Sequence, residues 1–510
     1  MSNSLQTTIG VPAGTRSVSI PAQLALLVLV HLLLWTWVGV TSRSNFDVPG
    51  DMVEAYTWAQ GWQWGYYKHP PLSAWVAGLW FAVLPASHFG YSLLSAFNSA
   101  IGLLGLAVLA REFLPRNWVL LAVAVASLAP GITTLAMRFN ANAILISTWP
   151  WAAALFVRLM RRGQARDAVL CGLACALAML GKYYSGVLLL SLLATALWLP
   201  AWRARLQSTP FALAVATFVV GVAPHANWLL SQVHGPLQYA QEATGQDSPA
   251  ASVMRAFSFA LVQCVFPLLA FLALRLALTG PARHRGFFQA AFSPLLPRHE
   301  PVWWLAVLPI LATMLATVIT SARTASVWGL AIAFGLSLLA ASRARDAGAA
   351  LSLPRLWRTL GVIWVAVAVL SPVWWQARAA IGTPAVAEPR EELARELNAI
   401  WRRETGNRLP WVSGTRALAA SVAFYAADHP RYWSLWNSAI ETPWVDDGSV
   451  RAEGGVIVCS TADEACQAQA EAWSADRRKL SVAKTERGFH FPAESYVFYL
   501  LLPQAPAGPH

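Results

Sequence analysis

Eleven apolar segments, each near the length of a membrane span, follow one another through the first 377 residues of this chain. The hydrocarbon core of a bilayer is about 30 Å thick, and a helix needs about 20 apolar residues to cross it. Hydrophobic residues make up 56% of the chain and charged residues only 12%, a balance that is typical of polytopic membrane proteins and not of soluble ones. We therefore predict an α-helical membrane protein with spans near residues 20–40, 91–110, 118–136, 142–160, 167–181, 184–200, 210–231, 256–278, 302–320, 325–342 and 357–377.

The basic residues between these segments indicate which end of each span faces the cytoplasm. Most of the arginines fall in alternate loops, as expected where the positively charged loops stay in the cytoplasm. This pattern requires the apolar segment 71–86 to lie along the outer interface, because counting it as a span would invert every later loop. The spans 167–181 and 184–200 could also form a re-entrant pair without changing the sidedness. The net charge of +12 therefore arises from basic loops that set the orientation of the spans, and nucleic acid is not expected as a partner.

The last quarter of the chain changes in character. Charged residues become frequent after Glu388, and β-rich runs occur at 455–459 and 495–501. The sequence Thr461-Ala-Asp-Glu464 has the form of a capping box and predicts a helix through Trp473. The expected parts are a cytoplasmic tail (1–19), a membrane domain (20–379, with interfacial helices in a first outer loop at 41–90) and a small extracytoplasmic α/β domain (380–510).

Two cysteines of this last part are close in sequence. Cys459 ends a predicted strand and Cys466 lies in the first turns of the predicted helix. In an oxidising compartment they could form a disulfide, and two free thiols are equally compatible with the sequence.

Two carboxylates of the first outer loop are the candidate catalytic residues. Asp51 and Glu54 are three residues apart, so a helix over 51–60 would present both on one face, where they could address one substrate hydroxyl. The alternative is a solvated helix whose acids complement its own N-terminus.

Cations of the same loops are the candidate phosphate ligands. Lys68 and His69 precede Pro70-Pro71, a rigid turn that could hold two cations beside a lipid phosphate, although Lys68 could also be an ordinary interfacial lysine. Arg138, Lys182 and Arg323 each lie at the outer end of a span. Singly they are typical of interfacial anchors, and together they favour an anionic lipid ligand.

Several short motifs resemble one family, and they occur in its order. The chain resembles the GT-C class of polyprenyl-phosphate-sugar glycosyltransferases, in the branch of aminoarabinose and galacturonic acid transferases and protein O-mannosyltransferases. Where that family has adjacent Asp-Glu, this chain has Val53-Glu54 with Asp51 one turn earlier, so both carboxylates remain candidates. The matching motifs are His69-Pro70-Pro71-Leu72, Glu54-Ala-Tyr56 with Trp58, Arg138-Phe-Asn-Ala-Asn142 before Trp149-Pro-Trp, Gly181-Lys-Tyr-Tyr184, and Pro224-His225 with Trp228.

The resemblance implies an inverting transfer of sugar from a polyprenyl-phosphate donor to an envelope acceptor, which is a lipid, a polysaccharide or a protein. It would occur on the extracytoplasmic face of a bacterial inner membrane, for example in lipopolysaccharide modification. No cofactor is required, although an acidic loop could hold a divalent metal. The competing hypothesis is a lipid or solute transporter or flippase, which predicts inverted repeats and broken helices. The implied roles are catalysis for Asp51 or Glu54, donor-phosphate binding for Lys68, His69, Lys182 and Arg323, and substrate binding for Tyr67, Arg138, Asn140, Asn142 and Tyr183.

Overall fold

The computed structural model of the protein describes residues 19–45, 50–232, 235, 236, 239, 245, 247–265 and 268–503. The predicted cytoplasmic tail 1–19 lies outside these residues, except for Ser19. The last seven residues of the predicted terminal domain, 504–510, also lie outside them.

Helices make up nearly all of the membrane part, and they follow the apolar segments. Proline often stands in the first turn of a helix, where its missing N–H needs no partner, and Gly163 ends one helix in the left-handed conformation. The helices are α1 (Ile20–Thr41), α2 (Asp51–Ala59), α3 (Leu72–Val83), α4 (His88–Arg111), α5 (Arg116–Ala126), α6 (Ile144–Arg162), α7 (Ala165–Gly181), α8 (Ser185–Trp198), α9 (Pro200–Arg205), α10 (Thr209–Leu230), α11 (Pro249–Val265), α12 (Leu268–Ala277), α13 (Arg283–Ala291), α14 (Pro301–Thr320), α15 (Ile332–Asp346) and α16 (Leu353–Ala380).

Each predicted span contains helical residues, but not every one is a full-length crossing. Within the described part of the chain, six helical segments combine sufficient length and apolarity to cross a bilayer. The predicted span 118–136 is shorter than expected, because α5 ends at Ala126 and turns follow through Pro130 and Gly131, residues that interrupt helices. The predicted span 325–342 begins with a 3-10 turn, Ser326–Gly329, before α15. The six full-length segments are Ile20–Thr41, His88–Arg111, Thr209–Leu230, Pro249–Ala277, Pro301–Thr320 and Leu353–Ala380.

The chain is a multi-pass membrane protein, and small residues bring its central helices together. A Cβ atom added at Gly102 of α4 would lie 2.2 Å from the carbonyl oxygen of Ile146 in α6, so glycine permits this contact. Every residue of α5 from Trp118 to Ala126 is buried. The first outer loop lies against this core, where α2 and α3 pack on each other.

The terminal part is built around a five-stranded mixed sheet in the order β4 (Arg431–Tyr432), β3 (Trp411–Gly414), β5 (Gly455–Ser460), β7 (Phe489–Leu501) and β6 (Arg477–Glu486). β3 pairs in parallel with β4 and β5, whereas β7 pairs antiparallel with β5 and β6. Of the two alternatives that the sequence leaves open for Cys459 and Cys466, the structure has the disulfide. A two-stranded ribbon, β1 (Leu278–Thr279) with β2 (Ala350–Leu351), belongs to the membrane part. The elements of the terminal part are α17 (Pro384–Ala387), α18 (Arg390–Thr405), β3 (Trp411–Gly414), α19 (Arg416–Tyr425), β4 (Arg431–Tyr432), α20 (Ser438–Glu441), α21 (Asp447–Glu453), β5 (Gly455–Ser460), α22 (Glu464–Glu471), β6 (Arg477–Glu486) and β7 (Phe489–Leu501).

Helix α19 joins the terminal part to the first outer loop. Phe424 is fully buried, and its ring packs against Tyr56 of α2, Phe81 of α3 and Tyr91 of α4 at centroid distances of 5.0 to 5.9 Å. The Gln60 side chain accepts a hydrogen bond from the backbone N–H of Tyr432 (3.0 Å). The terminal part therefore lies directly over the loop that carries the candidate catalytic residues.

Candidate active site

Helix α2 carries both candidate carboxylates in its first turn, as the spacing predicts. Gly50 precedes the helix with a positive φ of 91°, a conformation that glycine adopts without strain. The Tyr91 hydroxyl fixes the helix by donating to the carbonyl of Met52 (2.6 Å) and to that of Phe139 (3.2 Å). Asp51 is exposed and Glu54 is buried, so the two acids have different environments.

Glu54 is held in a buried ion pair. Lys68 Nζ lies 2.6 Å from Glu54 Oε1, and the Tyr67 hydroxyl donates to the same oxygen at 3.3 Å. Burial raises the pKa of Glu54, an effect that the neighbouring Lys68 ammonium opposes. Burial also raises the pKa of Tyr67, so it remains a neutral donor. The Glu54 carboxylate therefore orients Lys68 and Tyr67.

The loop after α2 folds back on itself to deliver these partners. Tyr66 and His69 exchange two backbone hydrogen bonds, of 3.0 and 3.2 Å, and the ring of Tyr66 stacks on that of Trp58. Pro70 and Pro71 then lead into α3. Between Tyr66 and His69, the side chains of Tyr67 and Lys68 reach back to Glu54 of α2.

A small polar cavity of about 60 Å³ opens between α2, this loop and the segment before α6. Asp51 contributes an exposed carboxylate to the wall, and Lys68 and Glu54 lie beside it. The cavity is lined by Asp51, Glu54, Ala55, Trp58, Lys68, His69, Ser73, Asn140, Ala141, Asn142 and Tyr239.

His69 lines the cavity as a neutral group, contrary to its prediction as a second cation. Burial, together with the charges of Lys182 and Lys68, lowers the pKa of His69 to about 3. Its ring lies edge-on to Trp58 and Tyr239 at 6.1 and 6.5 Å. At neutral pH His69 can therefore offer a hydrogen bond to a phosphate, but not a charge.

Lys182 reaches the cavity through Asn142. Its ammonium donates to Asn142 Oδ1 and lies 5.0 Å from the centre of the Trp328 ring. Burial lowers the pKa of Lys182 to about 8, and the carboxylate of Asp51 partly offsets this effect. Asn140 supports the arrangement, because its side-chain oxygen accepts the N–H groups of Asn142 and Ala143 (2.8 and 3.1 Å).

Five predicted site residues are not part of the cavity wall: Tyr67 and Lys182 contact residues of the wall, and the other three lie elsewhere. Arg323 is more than half exposed and pairs with Asp247 at 3.0 Å. The Tyr183 hydroxyl bonds His225 Nε2 (2.9 Å). Arg138 is exposed and lies near Arg378.

The structure adds two residues that were not among the predicted site residues. The ring of Tyr239 lies 5.8 Å from that of Tyr67 and 5.7 Å from Lys68 Nζ. From the terminal part, Arg416 lies 5.7 Å from the centre of the Tyr67 ring and forms an ion pair with Glu441. No spacing in the sequence links Arg416 to residues about 350 positions earlier. Among the described residues, no group of three or more His, Cys, Asp or Glu side chains is arranged to hold a metal ion.

Comparison with known proteins agrees with the motifs. Residues 68–228 match the model of the dolichyl-phosphate-mannose-protein mannosyltransferase family. The fold is similar to that of ArnT from Cupriavidus metallidurans bound to undecaprenyl phosphate, with a TM-score of 0.56 and 15% identity over 96% of this chain and 100% of that one. The apo state of the same ArnT matches with a TM-score of 0.56 and 16% identity over 94% and 98% of the two chains. A sequence comparison with curated proteins found no match.

The resemblance to GT-C polyprenyl-phosphate-sugar glycosyltransferases is therefore confirmed by one family model and by the fold. The matched family segment contains Lys68, His69, Asn140, Asn142 and Lys182. Asp51 and Glu54 lie before it.

Proposed function

We propose that this protein is a membrane glycosyltransferase that moves a sugar from a polyprenyl-phosphate donor to an envelope acceptor by inverting displacement. The reaction takes place on the extracytoplasmic face of the bacterial inner membrane. The observation that carries the proposal is the polar cavity, in which an accessible carboxylate, Asp51, lies beside the Glu54–Lys68 pair and near Lys182.

Asp51 is the general base. A base must reach the acceptor hydroxyl, and Asp51 is exposed at the cavity wall, whereas one oxygen of buried Glu54 is occupied by Lys68 and Tyr67. Glu54 is a positioning residue that holds Lys68 at the cavity.

Lys182 and Lys68 stabilise the departing phosphate, and His69 adds a hydrogen bond as a neutral imidazole. Lys182 combines a contact with Asn142 at the cavity and a contact with Trp328. Fixed cations aimed at developing charge are an effective form of catalysis in a site with little water. A divalent metal is not needed for this step.

An apolar cavity near Lys182 suits the lipid chain of the donor. Its volume is about 210 Å³, and its wall includes Ser326 and Val327, the residues just before Trp328. If the donor phosphate binds at Lys182, its polyprenyl chain can lie in this apolar cavity. The similar ArnT binds undecaprenyl phosphate in its crystal structure, and that molecule is a lipid of this class. The other residues of the wall include Val125, Ala129, Leu135, Phe271, Leu330 and Leu336.

In the reaction, the Asp51 carboxylate takes the proton of the acceptor hydroxyl. The acceptor oxygen attacks the anomeric carbon from the face opposite the phosphate, and the bond from that carbon to the phosphate oxygen breaks. Polyprenyl phosphate leaves with the bonding electron pair, and its new charge is stabilised by Lys182 and Lys68. The sugar thus changes its anomeric configuration once.

The test is transfer by purified protein in liposomes that contain a panel of polyprenyl-phosphate sugars and envelope acceptors, with mass spectrometry of the acceptor. We expect sugar addition that Asp51→Asn lowers by about 10²–10⁴-fold, the usual contribution of a general base. Asp447→Asn is the matched control, because Asp447 is also the exposed first residue of a helix.

Two results would contradict the proposal. Equal transfer rates for Asp51→Asn and the control would remove Asp51 as the base. Movement of lipid or solute between leaflets, with no sugar transfer across the panel, would favour the transporter hypothesis.

A further inference from the structure

Four arginines from distant parts of the chain lie around the end of α1, and none of them lines the polar cavity. Arg487, in the turn between β6 and β7, donates to the carbonyls of Thr41 (3.0 Å) and Val40 (3.2 Å). Arg378, in the last turn of α16, approaches the carbonyl of Ser42 at 3.4 Å. Arg43 follows directly in sequence. With Arg138 these residues form what we call the arginine cluster.

Arg138 belongs to the cluster through its position rather than through a bond. The preceding residue, Met137, packs against Gly39 of α1, and Arg138 is close enough to Arg378 to repel its charge. Among the described residues Arg138 forms no hydrogen bond or ion pair, and it is exposed. One carboxylate in contact with the cluster is that of Glu486, which lies 3.6 Å from Arg487 and 3.2 Å from Lys484.

Capping of α1 does not account for so much positive charge. The carbonyls at a helix end attract a cation, but the effect is about 0.3–1 kcal/mol and is limited to the last turn. A guanidinium has five N–H donors, and the contacts to Val40, Thr41 and Ser42 use only a few of those in Arg378 and Arg487. Several cations held together repel one another unless an anion shares their remaining donors. The cluster therefore has the composition of an anion site.

The surface below the cluster is apolar. Helices α1 and α16 touch along this face, where Trp37 Nε1 donates to the carbonyl of Ala368 (3.0 Å). Arginine at the end of two lipid-facing helices, with exposed tryptophan beside it, is typical of the headgroup level of a bilayer. The exposed apolar residues on these helices are Leu26, Leu29, Leu33 and Trp37 of α1 and Val362, Val365, Val369 and Val373 of α16.

We propose that the arginine cluster binds the phosphate of an anionic phospholipid whose acyl chains lie along α1 and α16. This site is distinct from the polar cavity, since none of the four arginines belongs to the cavity wall. Because Arg487 belongs to the terminal part and the other three arginines belong to the membrane part, one bound phosphate bridges the two. The lipid thereby helps to hold the terminal part over the first outer loop.

The test is native mass spectrometry of the full-length protein released from nanodiscs of phosphatidylglycerol or of phosphatidylcholine. We expect the wild type to retain phosphatidylglycerol in preference to phosphatidylcholine. Each arginine should contribute about fivefold, the equivalent of about 1 kcal/mol per basic residue at an anionic surface. Arg138→Gln should therefore lower retention of phosphatidylglycerol about fivefold, and Arg138→Gln with Arg487→Gln about 25-fold.

Arg395→Gln is the matched control, since Arg395 is exposed on α18 and pairs with Glu391; its retention should equal that of the wild type. Arg138 is exposed and bonds to none of the described residues, so its single variant separates lipid binding from folding. Three results would overturn the proposal: equal retention of the two lipids by the wild type, the same retention in Arg138→Gln as in the control, or displacement of the lipid by millimolar inorganic phosphate, which would indicate a site for the free ion. The measurement needs no turnover and so does not depend on the proposed glycosyltransferase activity.

Discussion

The ion pair between Glu54 and Lys68 is a costly arrangement that the site depends on. Both side chains are almost withdrawn from water, and such a pair stabilises a protein only when its hydrogen bonds are complete. Tyr67 contributes a second hydrogen bond to the Glu54 carboxylate. The pair fixes an ammonium group at the cavity wall, which a mobile surface lysine would not do.

Loss of either partner should therefore destabilise the protein more than loss of both. Glu54→Gln leaves the ammonium of Lys68 buried without its counter-charge, at a cost of about 3–5 kcal/mol, and Lys68→Met leaves the carboxylate in the same state. The double variant Glu54→Gln with Lys68→Met should recover most of this loss. Thermal unfolding in a single detergent measures the stability of the two single variants and of the double variant. If the stability losses of the single variants add in the double variant, the two residues are not a coupled pair.

The pH dependence of sugar transfer should report on the protonation of Lys182. Its pKa is lowered by burial from 10.5 to about 8, so in the free enzyme the ammonium is charged below pH 8 and neutral above it. Donor binding needs the charged form. We expect kcat/KM for the donor, which reports on the free enzyme, to fall as pH rises through about 8.

Lys182→Arg is the matching variant, because a guanidinium stays charged throughout this range. Its kcat/KM should be lower at pH 7, where the shape of lysine is lost, but should not fall near pH 8. An unchanged alkaline limb in Lys182→Arg would assign that limb to another group.

At the scale of single residues, the sequence predicted residues that the structure brings to one cavity, and their roles stay predictions. Asp51, Glu54, Lys68, His69, Asn140 and Asn142 do share one cavity. The neutrality of His69 arises from burial and from two nearby cations, and neither is encoded in its local motif. The pairing of Arg323 with Asp247 is likewise a matter of tertiary structure.

At the scale of elements, the loop between α2 and α3 is positioned by two tryptophans. A Cβ atom added at Gly65 would lie 2.3 Å from the ring of Trp228, and one added at Gly61 would lie 2.4 Å from that of Trp444. Trp228 stacks on His225, whose Nδ1 bonds the carbonyl of Trp64 (2.7 Å). Helix α10 and the terminal part thus hold the loop from two sides.

Gly65→Ala should displace this loop and lower sugar transfer about 10²-fold, the usual effect of misplacing a catalytic group by about 1 Å. The matched control is Gly186→Ala in α8, where an added Cβ would meet no atom within 4 Å and alanine favours the helix. Transfer assays at saturating donor distinguish the two. Similar activity in both variants would mean that the Trp228 side chain moves to accommodate the added methyl group.

Helices and strands were predicted well where a single local sequence pattern determines them. The strand at 455–459 and most apolar helices were found because hydrophobic runs need few other contacts. The helix after Cys459 begins later than expected, since Asp463 and not Thr461 caps it by accepting the N–H of Cys466 (3.1 Å). Strands β3, β4 and β6 were missed because β3 and β4 are short and charges interrupt the alternation of β6.

At the scale of the whole molecule, the terminal part contributes to the site. A continuous series of contacts runs from Glu54 to Tyr67, from Tyr67 to Arg416, and from Arg416 to Glu441. Glu441 also accepts a hydrogen bond from Ser434 (2.8 Å). The terminal part therefore fixes Tyr67 as well as covering the loop.

Arg416→Gln should lower kcat about tenfold with a smaller effect on the KM for the donor, because Arg416 orients Tyr67 and does not contact the donor phosphate. Arg416→Lys should recover part of the activity by restoring the charge. Arg431→Gln is the control, since Arg431 forms an exposed pair with Glu453 in the same part of the chain. A change confined to KM would instead assign Arg416 to donor binding.

The contact of Arg487 with Val40 and Thr41 joins residues about 446 positions apart. During synthesis the first span enters the membrane long before β6 and β7 leave the ribosome, and contacts of such separation form last. The carbonyls at the end of α1 therefore remain solvated at the membrane interface until the hairpin of β6 and β7 has been synthesised. A nascent chain arrested before residue 487 would hold every carboxylate and lysine of the site and the contacts of Phe424, and would still lack this contact between the terminal part and α1.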